Sequence, residues 1–175
     1  MTVIAVAGIP GSGKTTLARS LGAAMGLPVI SKDVIKESLM DTLGTGSNDW
    51  VSTLSRASHG VMYSLIDDLA GDVIIEAHFH RGVAEPALEA LGVQLIQLYC
   101  RCPVEIAWER YQARRDDPNR HPGHLAEHQD DAATAGWRTA APRPLDLNAP
   151  LLEVDTAGPV DIESLAGTVR QMLRD

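Results

Sequence analysis

Apolar positions along the chain fall into two kinds of stretch: short β-branched runs and longer segments with helical spacing. Thr2-Val3-Ile4-Ala5-Val6-Ala7 is continuously apolar and reads as a buried strand, and Thr15 to Met25 reads as the helix after it. The alternation then continues. Leu27 to Ile30, Asp72 to Glu76, Val93 to Tyr99 and Leu151 to Val154 read as four further strands. Between them, helices are predicted over Asp33 to Met40, Trp50 to Leu69, Val83 to Leu91, Pro103 to Arg115 and Ile162 to Leu173. The long one carries Val51, Leu54, Ala57, Val61, Leu65 and Leu69 as its expected buried stripe. Pro103 sits where a proline favours the first turn of a helix. Strands alternating with helices predict an α/β domain whose parallel sheet is covered on both faces.

Two segments break the pattern. Residues 116–150 are rich in Pro, His, Asp, Ala and Arg, and only Leu125 to Thr139 has a helical pattern. A long polar insertion of this kind in a compact domain reads as a lid, a binding loop or a flexible segment. Asp41 to Asp49, with Gly44 and Gly46, reads as a second mobile loop.

Composition narrows the class. A length of 175 residues suits one domain, so the expectation is a single unit over 1–175. A net charge of −8 argues against a general nucleic-acid-binding surface. Nothing approaches the roughly 18 consecutive apolar residues of a membrane span. The first strand begins at Thr2, so we expect no signal peptide, no membrane association and a cytoplasmic protein. Cys100 and Cys102 fit reduced cysteines at a strand end, since two thiols alone do not make a zinc site.

The chemistry is concentrated in Gly8-Ile9-Pro10-Gly11-Ser12-Gly13-Lys14-Thr15, which matches G-x-x-x-x-G-K-[ST] at every fixed position, between a strand and a helix. Such a loop aims backbone N–H groups at a phosphate, with the helix dipole behind them. Gly8, Gly11, Ser12, Gly13, Lys14 and Thr15 are therefore predicted to bind a nucleoside triphosphate. Lys14 should reach the β- and γ-phosphates, and the Thr15 hydroxyl should hold Mg²⁺. Asp33 follows the second strand, at the edge of the sheet where ligands gather. A carboxylate there can accept the proton of an acceptor hydroxyl, or it can simply cap the following helix.

The chain resembles small P-loop kinases that phosphorylate a hydroxyl: polynucleotide 5′-hydroxyl kinase domains, zeta-type toxins and chloramphenicol phosphotransferase. The resemblance lies in Gly8 to Thr16, in Ile30-Ser31-Lys32-Asp33-Val34-Ile35-Lys36 and in Glu109-Arg110-Tyr111-Gln112-Ala113-Arg114-Arg115. It implies a three-layer domain with a five-stranded parallel sheet in the order 2-3-1-4-5, and a lid and acceptor-binding region over about 110–150. It also implies ATP and Mg²⁺ as cofactors, and Thr16 as part of the nucleotide site. Asp33 falls on the base and Arg114 on the lid arginine that clamps the nucleotide, with Arg120 as a further lid residue. Lys36 falls on a basic acceptor contact, as Lys where polynucleotide kinases have Arg, which loses the planar fork. The base side is implied to lie near Asp155 to Gly158.

Glu76 ends the third strand and is a candidate for Mg²⁺ through water or for the acceptor. His78, His80 and Arg81 follow it and are candidate acceptor contacts. His124 and His128 have i, i+4 metal-ligand spacing, but the run lacks the glutamate of H-E-x-x-H, so with His121 they read as lid or acceptor residues. The expected activity is ATP-dependent phosphoryl transfer to a hydroxyl of a small molecule. Two alternatives stand beside it: a 5′-hydroxyl kinase acting on nucleic acid, and a nucleotide-dependent switch or assembly ATPase.

Overall fold

The computed structural model describes residues 1–115, 117, 118, 120–126 and 142–174. The strands are β1 (Thr2–Ala7), β2 (Val29–Ser31), β3 (Val73–Glu76), β4 (Gln94–Arg101) and β5 (Leu151–Asp155). They form one parallel sheet in the order β2-β3-β1-β4-β5. The helices are α1 (Lys14–Met25), α2 (Lys32–Leu43), α3 (Asn48–Asp67), α4 (Ala84–Glu89), α5 (Val104–Arg115), the short α6 (Gly123–Ala126) and a C-terminal helix, Ile162–Met172. The α/β class, the parallel sheet and its strand order are as expected.

β1 is the central strand, and all six of its residues are buried. Successive side chains on a strand point to opposite faces, so its apolar run feeds two cores at once. Val3, Ala5 and Ala7 join Val73 and Ile75 against Met62 and Ile66 of α3 and Leu88 of α4. Ile4 and Val6 join Ile74 and Leu98 against Leu17 and Leu21 of α1 and Leu165 and Val169 of the C-terminal helix. That last helix is started by Asp161, whose Oδ1 accepts from Ser164 N at 3.0 Å.

Three expectations are corrected. The buried stripe of α3 is Val51, Leu54, Ser58, Met62 and Ile66, whereas Ala57, Val61 and Leu65 are exposed. Ser58 can occupy a core position because its hydroxyl donates to the Leu54 carbonyl at 2.6 Å, so no polar atom is stranded. The loop expected over Asp41 to Asp49 shrinks to residues 44–47, because α2 runs on to Leu43 and α3 starts at Asn48. Ser47 caps α3, and Trp50 Nε1 donates to the Gly44 carbonyl at 3.1 Å, which ties this turn down. Ser31 belongs to β2, and α2 follows it without a loop. Most of the helix expected over 125–139, and His128, lie outside the described residues.

Residues 142–147 form a strap against the sheet. Buried Gln97 on β4 holds it in both directions: Leu145 N donates to Oε1 at 2.7 Å, and Nε2 donates to the Leu145 carbonyl at 3.3 Å. Glu85 accepts from Asp146 N at 3.3 Å, Arg81 donates to the Pro144 carbonyl, and Leu145 packs into the core. Replacing Gln97 by Leu strands two buried backbone groups at roughly 1–3 kcal/mol each. Gln97→Leu should therefore lower the urea midpoint by an amount equivalent to about 2–6 kcal/mol; an unchanged midpoint would show that the strap does not depend on Gln97.

Candidate active site

One open cleft of about 1100 Å³ runs along the carboxyl ends of the strands. Lys14, Thr15, Thr16, Asp33, Glu76, His78, Arg81, Arg114 and Arg120 all line it, so residues from five separate stretches of sequence meet there.

The phosphate loop links β1 to α1. Gly13 has φ 88° and occupies the cap position of α1, where no side chain satisfies the first-turn N–H groups. They are left for an anion. Gly11 has φ 81°, and a Cβ there would collide with the Ala107 carbonyl of α5. Only glycine lets α5 pack this closely against the loop.

Glu76 is the polar centre of the site. It is 1% exposed, and its Oε1 accepts from Ser31 Oγ at 2.5 Å and from Thr15 Oγ1 at 3.1 Å. Since the Thr15 proton points at Glu76, the lone pairs of that hydroxyl are free for a cation. Glu76 Oε2 is buried without a hydrogen-bond partner among the described residues. An orphaned carboxylate oxygen beside the phosphate-loop threonine suits a hydrated hard cation, so the donor set fits Mg²⁺.

Asp33 sits in the first turn of α2. The cap position falls on Ser31, so the capping alternative for Asp33 does not hold. Its Oδ1 instead lies 3.2 Å from Lys32 Nζ. Burial pushes this carboxyl up, but Lys32, Lys14 and His124 outweigh it and hold it at about 2. Asp33 is thus an anion whose field overlaps that of the phosphate-loop lysine. Lys36 is a different matter. It is 1% exposed and does not line the cleft, and burial together with Lys32 pushes its ammonium down to about 8. The structure does not bring it into the site.

The β3 end turns into the loop that carries three further residues. His78 Nδ1 lies 3.3 Å from the Gly8 carbonyl, and its ring meets His80 edge-on at 4.7 Å. Burial, reinforced by Lys14 and His80, pushes His78 down to about 4, so its ring is neutral. Arg81 lines the cleft mouth while its guanidinium holds the strap.

On the lid side, Arg114 and Arg120 face the cleft, and Arg120 lies over the Tyr111 ring at 5.5 Å. Arg120 Nη1 is buried without a hydrogen-bond partner among the described residues, and burial lowers the group's proton affinity. An unsatisfied guanidinium nitrogen near a second arginine is suited to phosphate oxygens. Arg110 is structural, since it donates to the Thr156 and Ala157 carbonyls at 2.8 and 2.7 Å and so fixes the loop after β5. Two histidine–carboxylate contacts join the lid segment to α2, His124 to Glu37 at 2.9 Å and His121 to Asp41 at 3.0 Å. No group of three or more possible metal ligands occurs among the described residues. Cys100 and Cys102 are both free, and burial pushes the Cys100 thiol up to about 12, so it is an inert core group. No helix among the described residues is long and apolar enough to cross a membrane.

Sequence reasoning passed over Ser31, Lys32, Ser52, Ser55 and His59. Lys32 was visible as the neighbour of Asp33. The other four are joined to the site only by the fold.

Comparison with known proteins places the chain among kinases by family and fold. A cytidylate kinase of Pyrobaculum neutrophilum is 31% identical over 121 residues, which is 65% of this chain and 61% of that relative, so the chain spans about three fifths of it. The crystal structure of a candidate kinase from Chloroflexus aurantiacus superposes with a TM-score of 0.89 at 29% identity, covering 97% of both chains. A sugar kinase from Janibacter sp. HTCC2649 shares the fold, with a TM-score of 0.63 at 18% identity over 99% of this chain and 95% of its own. Residues 4–131 match the AAA domain family (AAA_18), so the chain belongs to that family, with the fold of a P-loop kinase.

Proposed function

We propose that the protein is an ATP-dependent kinase that transfers the γ-phosphoryl group to a hydroxyl of a small-molecule acceptor, with Asp33 as general base. The observation that carries this reading is the ionised Asp33 carboxylate standing in the cleft within the field of Lys14. The residues 110–150 serve as its lid and acceptor-covering region.

The phosphate-loop amides and Lys14 bind the β- and γ-phosphates, and Arg114 and Arg120 reach them from the lid side. Mg²⁺, held by Thr15 Oγ1 and through water by Glu76, would neutralise charge on the phosphates. Asp33 accepts a hydrogen bond from the acceptor hydroxyl and so aims its oxygen at the γ-phosphorus. As that O–P bond forms, the bond from phosphorus to the β,γ-bridging oxygen breaks, ADP leaves, and the hydroxyl proton passes to Asp33. A carboxylate at about 2 is a weak base, which suits a loose transition state in which the hydroxyl becomes acidic only late. Positioning and electrostatics do most of the work.

The likeness to a cytidylate kinase favours a second reading, in which the acceptor is a nucleotide phosphate. An ionised carboxylate at the acceptor position opposes it, since two anions would have to meet there. A 5′-hydroxyl oligonucleotide would use the same chemistry as the leading reading, but the net charge of −8 disfavours a long polyanion.

Asp33→Asn should bind ATP as the parent does while transfer from γ-labelled ATP falls by about 10²- to 10⁴-fold. Undiminished transfer would remove Asp33 as the base, and phosphate release to water alone would favour a switch ATPase. Because the folded value of Asp33 lies below 3.8, its charge is complete above that pH and is lost as pH falls toward 2. The parent should therefore show no acid limb from Asp33 in kcat/KM at pH 4 and above, with 4 taken as about the ordinary carboxylate value. Lys32→Met removes the ion pair and should raise that limb into the measurable range; an identical profile for parent and variant would mean that Lys32 does not set the charge of Asp33.

A further inference from the structure

Part of the cleft lining comes from α3. Ser52, Ser55 and His59 line the cleft from this helix, and their spacings of three and four residues put them on one face. None of the three is needed to fold α3, whose buried stripe is Val51, Leu54, Ser58, Met62 and Ile66.

The proton of His59 is placed by its surroundings. Nδ1 lies 3.0 Å from the Ser55 carbonyl, one turn back. A carbonyl oxygen only accepts, so Nδ1 carries the hydrogen, and Nε2, on the side of the ring away from that carbonyl, presents a bare lone pair. Burial holds the ring below its ordinary value of 6.5 despite that hydrogen bond, which keeps it neutral. His78 has the same arrangement against the Gly8 carbonyl, so its Nε2 is an acceptor too. Together with Asp33 the cleft lining therefore holds three hydrogen-bond acceptors, and Ser52 and Ser55 add two hydroxyls. Phe79, with its centroid 6.2 Å from that of His59, adds an apolar surface to the lining.

A ligand for such a wall must bring several hydrogen-bond donors on a small frame. We propose that the Ser52–Ser55–His59 face of α3 is the acceptor subsite, and that the acceptor is a compact polyhydroxylated molecule, a sugar or a cyclitol. One hydroxyl goes to Asp33 for transfer. Neighbouring hydroxyls donate to His59 Nε2 and exchange hydrogen bonds with Ser52 and Ser55, while C–H faces lie against Phe79. Among the described residues α3 brings Asn48, Val51, Ser52, Ser55 and His59 to the cleft lining and none of these is a cation, so this face suits a neutral polyol. The proposal rests on the kinase reading above and adds a substrate class to it.

The test has two parts. A long-range ¹H–¹⁵N spectrum of the histidine rings should show His59 protonated at Nδ1; protonation at Nε2 would overturn the proposal whatever the acceptor. Phosphoryl transfer from γ-labelled ATP is then measured with three separate probes: pooled ribose, glucose and myo-inositol; cytidine 5′-monophosphate; and a 5′-hydroxyl oligonucleotide. Label should appear in the sugar and cyclitol arm. His59→Phe and, separately, Ser55→Ala should then raise KM for the labelled polyol by about 3- to 10-fold, the size of one neutral hydrogen bond, with KM for ATP unchanged. His59→Gln, which keeps an acceptor oxygen, should recover most of the loss. Ser55→Ala keeps its backbone carbonyl, so it reads the hydroxyl with the His59 tautomer intact. Label only on the nucleotide or oligonucleotide, lost in Asp33→Asn, would overturn the polyol class and leave the kinase standing. No label in any arm would overturn both, and a polyol KM indifferent to His59→Phe and Ser55→Ala would overturn the subsite.

Discussion

The two hydroxyls that share Glu76 Oε1 set the geometry of everything around them. Ser31 and Glu76 are register partners across β2 and β3, and Val6 and Glu76 are partners across β1 and β3. The Thr15 contact then ties the start of α1 to the same carboxylate. A carboxylate at 1% exposure is costly to bury unless its oxygens are hydrogen-bonded, so the fold is held to positions that keep those bonds. As a result the phosphate loop and the acceptor strand cannot drift apart independently. Asp33 is two residues from Ser31, and Lys14 is next to Thr15, so the proposed base and the phosphate-binding lysine are referenced to one buried group.

Sheet order explains why so much chemistry can gather at one edge. With β1 central and all strands parallel, every strand-to-helix turn opens on the same side. β1 delivers the phosphate loop, β2 delivers Lys32 and Asp33, and β3 delivers Glu76 and His78. α5, which follows β4, packs so closely on Gly11 that no side chain fits between them. The same helix carries Arg110, which holds the loop after β5, and Arg114, which faces the cleft. Arg114 is therefore positioned relative to the phosphate loop through α5.

Much of this was legible in the sequence where the physics is local. The phosphate loop declares itself because cradling a phosphate fixes glycine, lysine and threonine at set spacings. The strands declare themselves because a sheet buried on both faces needs unbroken apolar runs. α3 was misread in register because Val61 and Leu65 are apolar yet exposed, while Ser58 is polar yet buried and satisfied by its own helix. Periodicity weighs residue type and cannot see a hydrogen bond to Leu54. Lys36 was expected at the acceptor from the resemblance, but its long apolar stem lets it lie inside and away from the cleft lining. Ser31, Ser52, Ser55 and His59 carry no local signature, because their meaning depends on which strand β3 stands beside and on which face of α3 looks into the cleft.

The acceptor side also shows how a shared phosphate machine can diverge. Binding the triphosphate needs backbone amides, a lysine and arginines, and these respond to any nucleoside triphosphate in much the same way. The choice between a phosphate and a hydroxyl as nucleophile falls to a few groups facing the γ-phosphate. Attack by an anion calls for cations there, to offset repulsion between the two phosphates. Attack by a neutral hydroxyl calls for an acceptor that aims its proton away from phosphorus. In this chain Lys32 is committed to Asp33 at 3.2 Å, and the neighbouring histidines are kept neutral by burial. The Lys32 charge thus helps to keep the Asp33 carboxylate ionised. Asp33 is held as an anion in the same cleft as the phosphate-loop lysine, so one site keeps both signs of charge close to where a γ-phosphate would lie.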